Sequence, residues 1–449
     1  MAREIIIIGS GAAGMTAASS ARATDASARI TVFTEDSDIA YSPCVIPWVL
    51  EGMSSWEDIV MHTPGFYREE RDIDVRTGIR VEAVDGEGRT VTAGGETYRY
   101  DALVIAAGGR VFVPPIQGVG LEGVFQVRTI NDGRRIEAAL KDARKVVIAG
   151  AGVIGLELAL AFTALGKEVT VVEMMDQVIP RIADRDMAAP VQAYLEEKGI
   201  RFVMNAPVQA ILGEDRVTGV RAGGAEHACD MVVLATGVRA NLDLVTQLGL
   251  DVGQLGGAVV APTMQAYRRG RLVPDVFLAG DLVQSESAVM PGPTMSQLGS
   301  SAVKEGRVAG INAAGGKALS GPVASPWVSV IGDLQIAGTG LSQGLASWYG
   351  IETVSGKAAG STRARYYPGG TPLTVKISAD RVSRRIVGAQ IIAGEDATGR
   401  INWLTAAVVE GVTADDFLVR AENAYCPPAS MVQDVAIKAA EDLCRRLNQ

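Results

Sequence analysis

The chain opens with short apolar runs that are separated by glycine-rich turns. Glu4–Ile8 is an almost unbroken β-branched run, which is typical of a central strand in a parallel sheet. The sequence Gly-Ser-Gly-Ala-Ala-Gly follows at 9–14, and the small residues after it predict a helix over 15–23. A second strand is predicted over 29–34 and ends at Glu35. Strand, glycine turn, helix, strand and acid, in that order, are typical of a dinucleotide-binding βαβ unit.

The same order recurs further along the chain. Lys145–Ala149 predicts a strand, the turn Gly-Ala-Gly-Val-Ile-Gly occupies 150–155, and a helix is predicted over 156–165. Glu168–Val172 predicts the next strand, which ends at Glu173. One GxGxxG is weak evidence, because glycine-rich loops are common. Two copies with the same flanking elements indicate two dinucleotide sites rather than two chance turns.

A membrane helix is the alternative interpretation of the apolar stretch between Lys145 and Lys167, which holds one charge, Glu157. The glycines interrupt it at the spacing of the turn, so we predict a buried strand and a buried helix. The last third differs, with strand patterns at 374–377 and 385–392 and helical patterns at 400–409 and 432–447. This mixture predicts a separate α+β domain.

Charge and cysteine content exclude several classes of function. The 449 residues carry a net charge of −9 without Lys/Arg blocks, which argues against nucleic acid and anionic membrane as partners. The four cysteines form no CxxC pair and there are only two histidines, so we expect no metal site and no iron–sulfur cluster in the chain. No signal peptide is apparent, and we expect a cytoplasmic protein without a membrane span.

Each glycine turn allows a pyrophosphate to rest on a helix N-terminus, where free N–H groups and the helix dipole favour an anion. The acid that ends the second strand accepts the hydroxyls of an adenosine ribose. Glu173 repels a 2′-phosphate and is followed by Met174, Met175 and Asp176 rather than by Arg or Lys, so we expect NADH rather than NADPH. Two dinucleotides in one chain imply hydride transfer between a nicotinamide and a flavin.

With these motifs, the whole chain resembles the FAD-dependent pyridine nucleotide–disulfide oxidoreductase family. Residues 100–108 and 231–237 resemble its two return strands, although Ala107 stands where the family usually has Thr. Residues 275–281 resemble its second FAD fingerprint, in which Asp281 would accept a hydrogen bond from the ribityl chain and a helix beginning near Thr294 would point at the flavin. Glu157 matches an acid near the nicotinamide–flavin contact. The alternatives are a turn aspartate and a solvated helix charge.

The resemblance implies an α/β fold with two Rossmann-like domains, which bind FAD and NAD(P), and a C-terminal α+β dimerisation domain. The implied boundaries are 1–110 with 240–318 for FAD, 111–239 for NAD(H) and 319–449 for the interface. The implied FAD-binding residues are Gly9, Gly11, Ala12, Ala13, Gly14, Glu35, Ala107, Gly108, Gly280 and Asp281. The implied NAD(H)-binding residues are Gly150, Gly152, Val153, Ile154, Gly155, Glu173 and Gly237.

A single cysteine, Cys44, stands in the segment Tyr-Ser-Pro-Cys-Val-Ile-Pro-Trp at 41–48. The paired CxxxxC of glutathione reductase is absent. The segment resembles the single-cysteine branch, which contains coenzyme A-disulfide reductases, NADH oxidases, NADH peroxidases and persulfide reductases. Cys44 would lie at a helix start beside the flavin, where the dipole favours a thiolate that attacks a disulfide, polysulfide or peroxide. The alternative is an inert apolar cysteine.

Two tyrosine motifs, at 365–369 and 424–428, resemble those of coenzyme A-disulfide reductases. There the tyrosines come from the second subunit, so the resemblance implies a homodimer in which Tyr367 and Tyr425 hydrogen-bond to the leaving thiolate, or else only pack at the interface. Two departures weaken the link to coenzyme A: Val-Ile-Pro-Trp replaces Gly-Leu-Pro-Tyr, and the first helix keeps only Arg22 for the phosphates. Cys426 would either approach Cys44 of the partner subunit or be buried.

Two functions remain open. In the first, NADH reduces FAD, and FAD with Cys44 reduces a small disulfide, polysulfide or peroxide, with Tyr367, Tyr425 and Glu157 assisting. In the second, the chain is an electron-transfer subunit that links NAD(H) to iron–sulfur or ferredoxin-type subunits, as in a phenylglyoxylate-type 2-oxoacid dehydrogenase. A scaffold without catalysis is disfavoured, because both glycine turns keep their glycines and acids.

Overall fold

A six-stranded sheet forms the first of three units in residues 2–449, which the computed structural model describes. Its order is Gln265–Arg268, Arg271–Leu278, Ala102–Ile105, Glu4–Ile8, Arg29–Phe33 and Ile73–Arg76. All pairs are parallel except the first. Ile5 and Ile7 are fully buried, because both faces of the central strand are covered. The antiparallel strands Val81–Asp85, Thr90–Ala93 and Glu96–Arg99 adjoin this core.

Two helices, Ala12–Thr24 and Gly299–Ala313, pack unusually closely in this unit. A Cβ atom at Gly306 would lie 2.2 Å from the carbonyl oxygen of Ala13, so only glycine permits the contact. The shorter helices are Pro64–Arg71 and Asp243–Gln247. The prediction that the second long helix begins near Thr294 is wrong. Pro293–Thr294 is instead a short strand paired with Val283–Glu286, which also pairs with Ala258–Val259.

Five parallel strands form the second unit. Their order is Arg201–Val203, Glu168–Val172, Lys145–Ala149, Met231–Leu234 and Val124–Gln126. The helices of this unit are Ile130–Leu140, Val153–Ala164 and Arg185–Glu197, and a three-stranded sheet adjoins it with Val208–Gly213, Val217–Ala222 and Ala225–Ala228. The apolar stretch is thus a buried strand and helix, as predicted. Among residues 2–449, no helix has the length and apolar character needed to cross a membrane.

A two-stranded ribbon, Gly109–Val111 with Val238–Ala240, marks where the chain passes between these two units.

The third unit is an antiparallel sheet in the order Trp327–Ile331, Leu334–Gly340, Ile386–Ala393, Pro372–Asp380 and Thr353–Ser361. Its helices are Gln343–Trp348, Ala397–Val409, Ala414–Arg420 and Val435–Leu447. This arrangement confirms the predicted fold class, whereas the domain boundaries remain a prediction.

A buried ion pair joins the second and third units. Lys376 Nζ lies 2.9 Å from Asp184 Oδ2, and both side chains are only 6% exposed. Gln390 donates to the same carboxylate at 2.8 Å. The nearby Asp186 accepts hydrogen bonds from Lys376 and Lys357. Burial acts to raise the pKa of Asp186, but these hydrogen bonds outweigh burial, so the pKa is lowered. These contacts fix the start of helix Arg185–Glu197 against the antiparallel sheet.

Candidate functional site

A cavity of 1610 Å³ is lined by residues of all three units. The residues of the sequence prediction that line it are Gly9, Gly11, Ala12, Ala13, Glu35, Cys44, Ala107, Gly108, Val153, Ile154, Glu157, Gly280 and Asp281. The residues that do not line it are Gly14, Gly150, Gly152, Gly155, Glu173, Gly237, Tyr367 and Tyr425. The cavity therefore brings together the first glycine turn, the cysteine and the helix of the second turn.

The first glycine turn has one open position between two crowded ones. A Cβ atom at Gly9, where φ is +104°, would lie 2.3 Å from the carbonyl oxygen of Ala106, and one at Gly14 would lie 1.9 Å from that of Gly9. At Gly11 a Cβ atom would meet nothing within 4 Å among residues 2–449 apart from its immediate chain surroundings. Gly11 caps helix Ala12–Thr24 without a side-chain hydrogen bond, so the first amides of the helix stay free. This geometry fits a pyrophosphate.

The second turn repeats these features. Gly150 has φ +112° and approaches the carbonyl oxygen of Ala235, while a Cβ atom at Gly155 would lie 2.1 Å from the carbonyl oxygen of Gly150. Gly152 faces open space and caps helix Val153–Ala164 without a side-chain hydrogen bond. The same three roles at the same spacing support a second dinucleotide site.

The two acids that end the second strands differ in their surroundings. The side chain of Glu35 is 64% exposed, lines the cavity and lies 3.9 Å from Arg80, so its oxygens are accessible to a ribose. Glu173 is only 6% exposed, and its two oxygens accept the N–H groups of Ala151 and Met175 at 2.8 and 2.9 Å. Glu173 therefore braces its own turn, and its contact with a ribose remains a prediction.

Asp281 accepts a hydrogen bond from Arg128 at 2.6 Å, a partner that the sequence did not indicate. Glu305, which is 2% exposed, accepts the N–H of Gly280 at 2.9 Å and the hydroxyl of Ser285. Burial raises the pKa of Glu305, and these two hydrogen bonds oppose the rise. The Gly280–Asp281 turn is thus held from both sides. The only sequence signal near Arg128 is the Thr-x-x-Asp capping box at 129–132.

Cys44 is exposed and lies in a 3₁₀ turn, Pro43–Val45, that leads directly into helix Ile46–Glu51. The position at a helix start agrees with the prediction. Ile46 is fully buried, and its helix packs against helix Val153–Ala164. Burial raises the pKa of Tyr41, another residue of the cavity wall, to about 12. Tyr41 therefore stays a neutral phenol and a hydrogen-bond donor.

Glu157 lies on helix Val153–Ala164 and lines the same cavity as Cys44. Its Oε1 atom accepts a hydrogen bond from the hydroxyl of Ser329 at 2.5 Å. Burial raises the pKa of Glu157 to about 7, and the Ser329 hydrogen bond opposes the rise. A solvated helix charge, the alternative interpretation, does not fit this environment.

The two tyrosine motifs lie together on the surface of the third unit. The hydroxyls of Tyr366 and Tyr425 are 2.5 Å apart, and the N–H of Ala364 donates to the carbonyl of Pro427 at 3.2 Å. Tyr367 is 40% exposed. Neither predicted tyrosine reaches the cavity of its own chain, so contact with Cys44 requires a second copy and remains a prediction.

Cys426 and Arg22 bear on the predicted link to coenzyme A, and the structure shows the surroundings of both. Cys426 is exposed, so the burial expected as its alternative is wrong for the single chain, whereas Cys229 and Cys444 are buried. Arg22 donates to the backbone carbonyls of Arg71, Ala26 and Asp72 and is 15% exposed. Arg22 therefore secures a loop and is not free to bind a phosphate.

Comparison with known families decides the assignment. The family model described as pyridine nucleotide-disulphide oxidoreductase matches residues 3–306, and the model of the dimerisation domain of these proteins matches residues 326–435. The chain belongs to the pyridine nucleotide-disulphide oxidoreductase family. As a member it binds FAD and NAD(H) and is an NAD(P)H-dependent flavoprotein oxidoreductase. The single-cysteine branch, predicted from the sequence, fits its relatives.

Several relatives match over almost the whole chain. An NADH oxidase of Methanocaldococcus jannaschii is 42% identical over 451 residues, with 99% of each chain covered. An NAD(P)H coenzyme A polysulfide/persulfide reductase of Pyrococcus horikoshii is 33% identical over 449 residues, again with 99% of each covered. The structure of an NAD-dependent persulfide reductase from A. fulgidus superposes with a TM-score of 0.94 at 31% identity, covering 99% of this chain and 84% of the other.

Proposed function

We propose that this member of the family transfers two electrons from NADH, by way of FAD and Cys44, to a small sulfur acceptor such as a polysulfide or a low-molecular-weight disulfide. The observation that carries the proposal is the common cavity, which is lined by the first glycine turn, Glu157 and the exposed Cys44 thiol. The names of two relatives, polysulfide/persulfide reductase and persulfide reductase, support a sulfur acceptor.

The residues present fit both coenzymes. The open positions at Gly11 and Gly152 lie beside uncapped helix amides and suit two pyrophosphates. Glu35 and Asp281 would accept hydrogen bonds from hydroxyl groups of FAD. When bound, FAD would supply the ability to take one hydride, and with it two electrons, from a nicotinamide and to pass those electrons to a sulfur centre. In this proposal Glu157 contacts the nicotinamide, and Tyr41 donates a hydrogen bond beside the cysteine.

Cys44 carries the sulfur chemistry. Its thiolate attacks the terminal sulfur of the polysulfide, so that an Sγ–S bond forms while the adjacent S–S bond breaks, and the polysulfide shortened by one sulfur leaves as an anion. Two electrons that originate in NADH, together with one proton, then break the Sγ–S bond, which releases hydrosulfide and restores the thiolate. The exposure of Cys44 allows an acceptor to reach it from solvent.

The acceptor is proposed to be small because Arg22, the one basic residue that the first helix offers to coenzyme A phosphates, is committed to backbone carbonyls. We further propose a homodimer in which Tyr367 and Tyr425 of one chain approach Cys44 of the other. The match to the family's dimerisation domain supports the dimer.

The test is anaerobic NADH oxidation by the purified holoenzyme with polysulfide, coenzyme A disulfide or hydrogen peroxide, while sulfide release is measured. We expect turnover with polysulfide to fall at least about 100-fold in Cys44→Ser and to be retained in Cys444→Ser, the matched control at a cysteine that does not line the cavity. Peroxide as the only acceptor would contradict the sulfur assignment. Activity that needs iron–sulfur proteins and survives in Cys44→Ser would support the electron-transfer alternative instead.

A further inference from the structure

A hydroxyl of the third unit hydrogen-bonds to Glu157, a residue of the second unit that lines the cavity. Ser329 lies on strand Trp327–Ile331, is 5% exposed and donates to Glu157 Oε1 at 2.5 Å. The strand packs directly on helix Val153–Ala164, which carries Glu157. The two residues are 172 positions apart in the chain, so the contact exists only because the third unit is docked on the second.

Ser329 is the only hydrogen-bonding partner of the Glu157 side chain among residues 2–449. Helix Val153–Ala164 carries no other charged residue. The ionisable groups on the other elements packed on that helix are Glu51, Lys145 and Glu168, and those of the cavity wall include Tyr41, Cys44 and Arg181. None of them contributes to the pKa of Glu157, which burial raises and only the Ser329 hydrogen bond lowers.

We propose that Ser329 is a positioning residue of the NADH site, which holds the Glu157 carboxyl group in one orientation and stabilises its ionised form. The inference rests on the proposed function, in which Glu157 contacts the nicotinamide. A single donor fixes one carboxylate oxygen and leaves Oε2 without a partner among residues 2–449. In this way a residue of the region that matches the dimerisation domain takes part in the reaction with NADH.

The experiment compares Ser329→Ala, Ser329→Thr and Glu157→Gln with the wild-type holoenzyme. Ser355→Ala is the matched control, because Ser355 bonds Ser378 in the same sheet and does not contact Glu157. One readout is the pH dependence of flavin reduction by NADH in anaerobic stopped flow. The other is the pH titration of the carboxylic-acid C=O band in infrared difference spectra, assigned by its loss in Glu157→Gln.

We expect the midpoint in Ser329→Ala to move to higher pH by about one unit or more in both readouts, because a hydrogen bond to a charged group is lost. Ser329→Thr keeps the hydroxyl and should restore the wild-type midpoint, and Ser355→Ala should not move it. If Ser329→Ala does not fold, Ser329→Cys, a weaker donor, should give an intermediate upward shift.

A Ser329→Ala midpoint that coincides with the wild type would overturn the inference while leaving the proposed function intact. The proposed contact of Glu157 with the nicotinamide, on which the inference rests, fails separately if Glu157→Gln reacts with NADH like the wild type at every pH. In that case the infrared band would still report whether Ser329 stabilises the ionised carboxylate.

Discussion

Replacing Gly152 by alanine adds a methyl group at a point where the protein leaves room. The backbone of Gly152 has φ −73° and ψ 176°, an extended conformation that alanine adopts without strain. Apart from its immediate chain surroundings, the new Cβ atom would have no neighbour within 4 Å in the described part of the chain, residues 2–449. The free energy of unfolding should therefore be unchanged or rise by about 0.4–1 kcal/mol, because alanine reduces the conformational freedom of the unfolded chain. The methyl group would instead occupy the space in which we expect the pyrophosphate of NADH.

Forcing a methylene-sized group into a filled site costs about 1–3 kcal/mol, which corresponds to an increase in Kd of roughly 5-fold to 150-fold. The assay is the dependence of the flavin reduction rate on NADH concentration, measured anaerobically by stopped flow, with FAD content and Tm recorded on the same samples. We expect weaker NADH binding with normal FAD content and an unchanged or slightly higher Tm.

Substitutions of two other turn glycines, Gly11 and Gly155, serve as controls. Gly11→Ala, at the equivalent open position of the first turn, should lower FAD content rather than affinity for NADH. Gly155→Ala would place a Cβ atom 2.1 Å from the carbonyl oxygen of Gly150 and should destabilise the fold itself. If Gly152→Ala binds NADH with the wild-type Kd, the pyrophosphate does not approach this turn and the reasoning is refuted.

Two further predictions concern buried charges. The pKa of Glu157 rises from 4.5 to about 7 on folding, so its stabilising contribution is complete below about pH 4.5 and is lost as pH rises through 7. The Tm of Glu157→Gln, measured relative to the wild-type Tm at the same pH, should therefore increase between about pH 5 and pH 8. A Tm difference that does not change with pH would contradict this. Lys376→Met leaves the buried Asp184 carboxylate without its cation and should cost about 3–5 kcal/mol of unfolding free energy in urea titrations. Lys357→Met, at a more exposed pair, should cost under about 1 kcal/mol, and equal losses in the two variants would count against the buried pair.

Local sequence patterns were sufficient for the parallel sheets. Glu4–Ile8, Lys145–Ala149 and Glu168–Val172 agree with their predicted strands, because a continuous β-branched run can be buried on both faces only in such a sheet. Helix starts were predicted less well. Helix Val153–Ala164 begins inside the glycine turn, three residues before the prediction, since the residues after Gly152 already have helical geometry. The helix expected near Thr294 begins at Gly299.

Some residues of the candidate site could likewise be predicted from local sequence and others could not. The glycines and Glu35 lie within single βαβ units, so their spacing along the chain was enough to indicate their chemistry. Arg128 and Ser329 could not be found like this, because each meets its partner through the docking of one unit on another, 153 and 172 positions away. The bracing role of Glu173 was also missed, since a terminal acid gives the same pattern whether its oxygens face a ribose or the backbone.

The central claim is that both coenzymes and Cys44 meet in one cavity, and anaerobic titration of the purified protein with NADH tests it most directly. We expect bound flavin, its reduction by NADH, and a long-wavelength charge-transfer band between the thiolate and oxidised flavin that is absent in Cys44→Ser. A protein that holds no flavin even after reconstitution, or that shows no such band at any stage, would contradict the account.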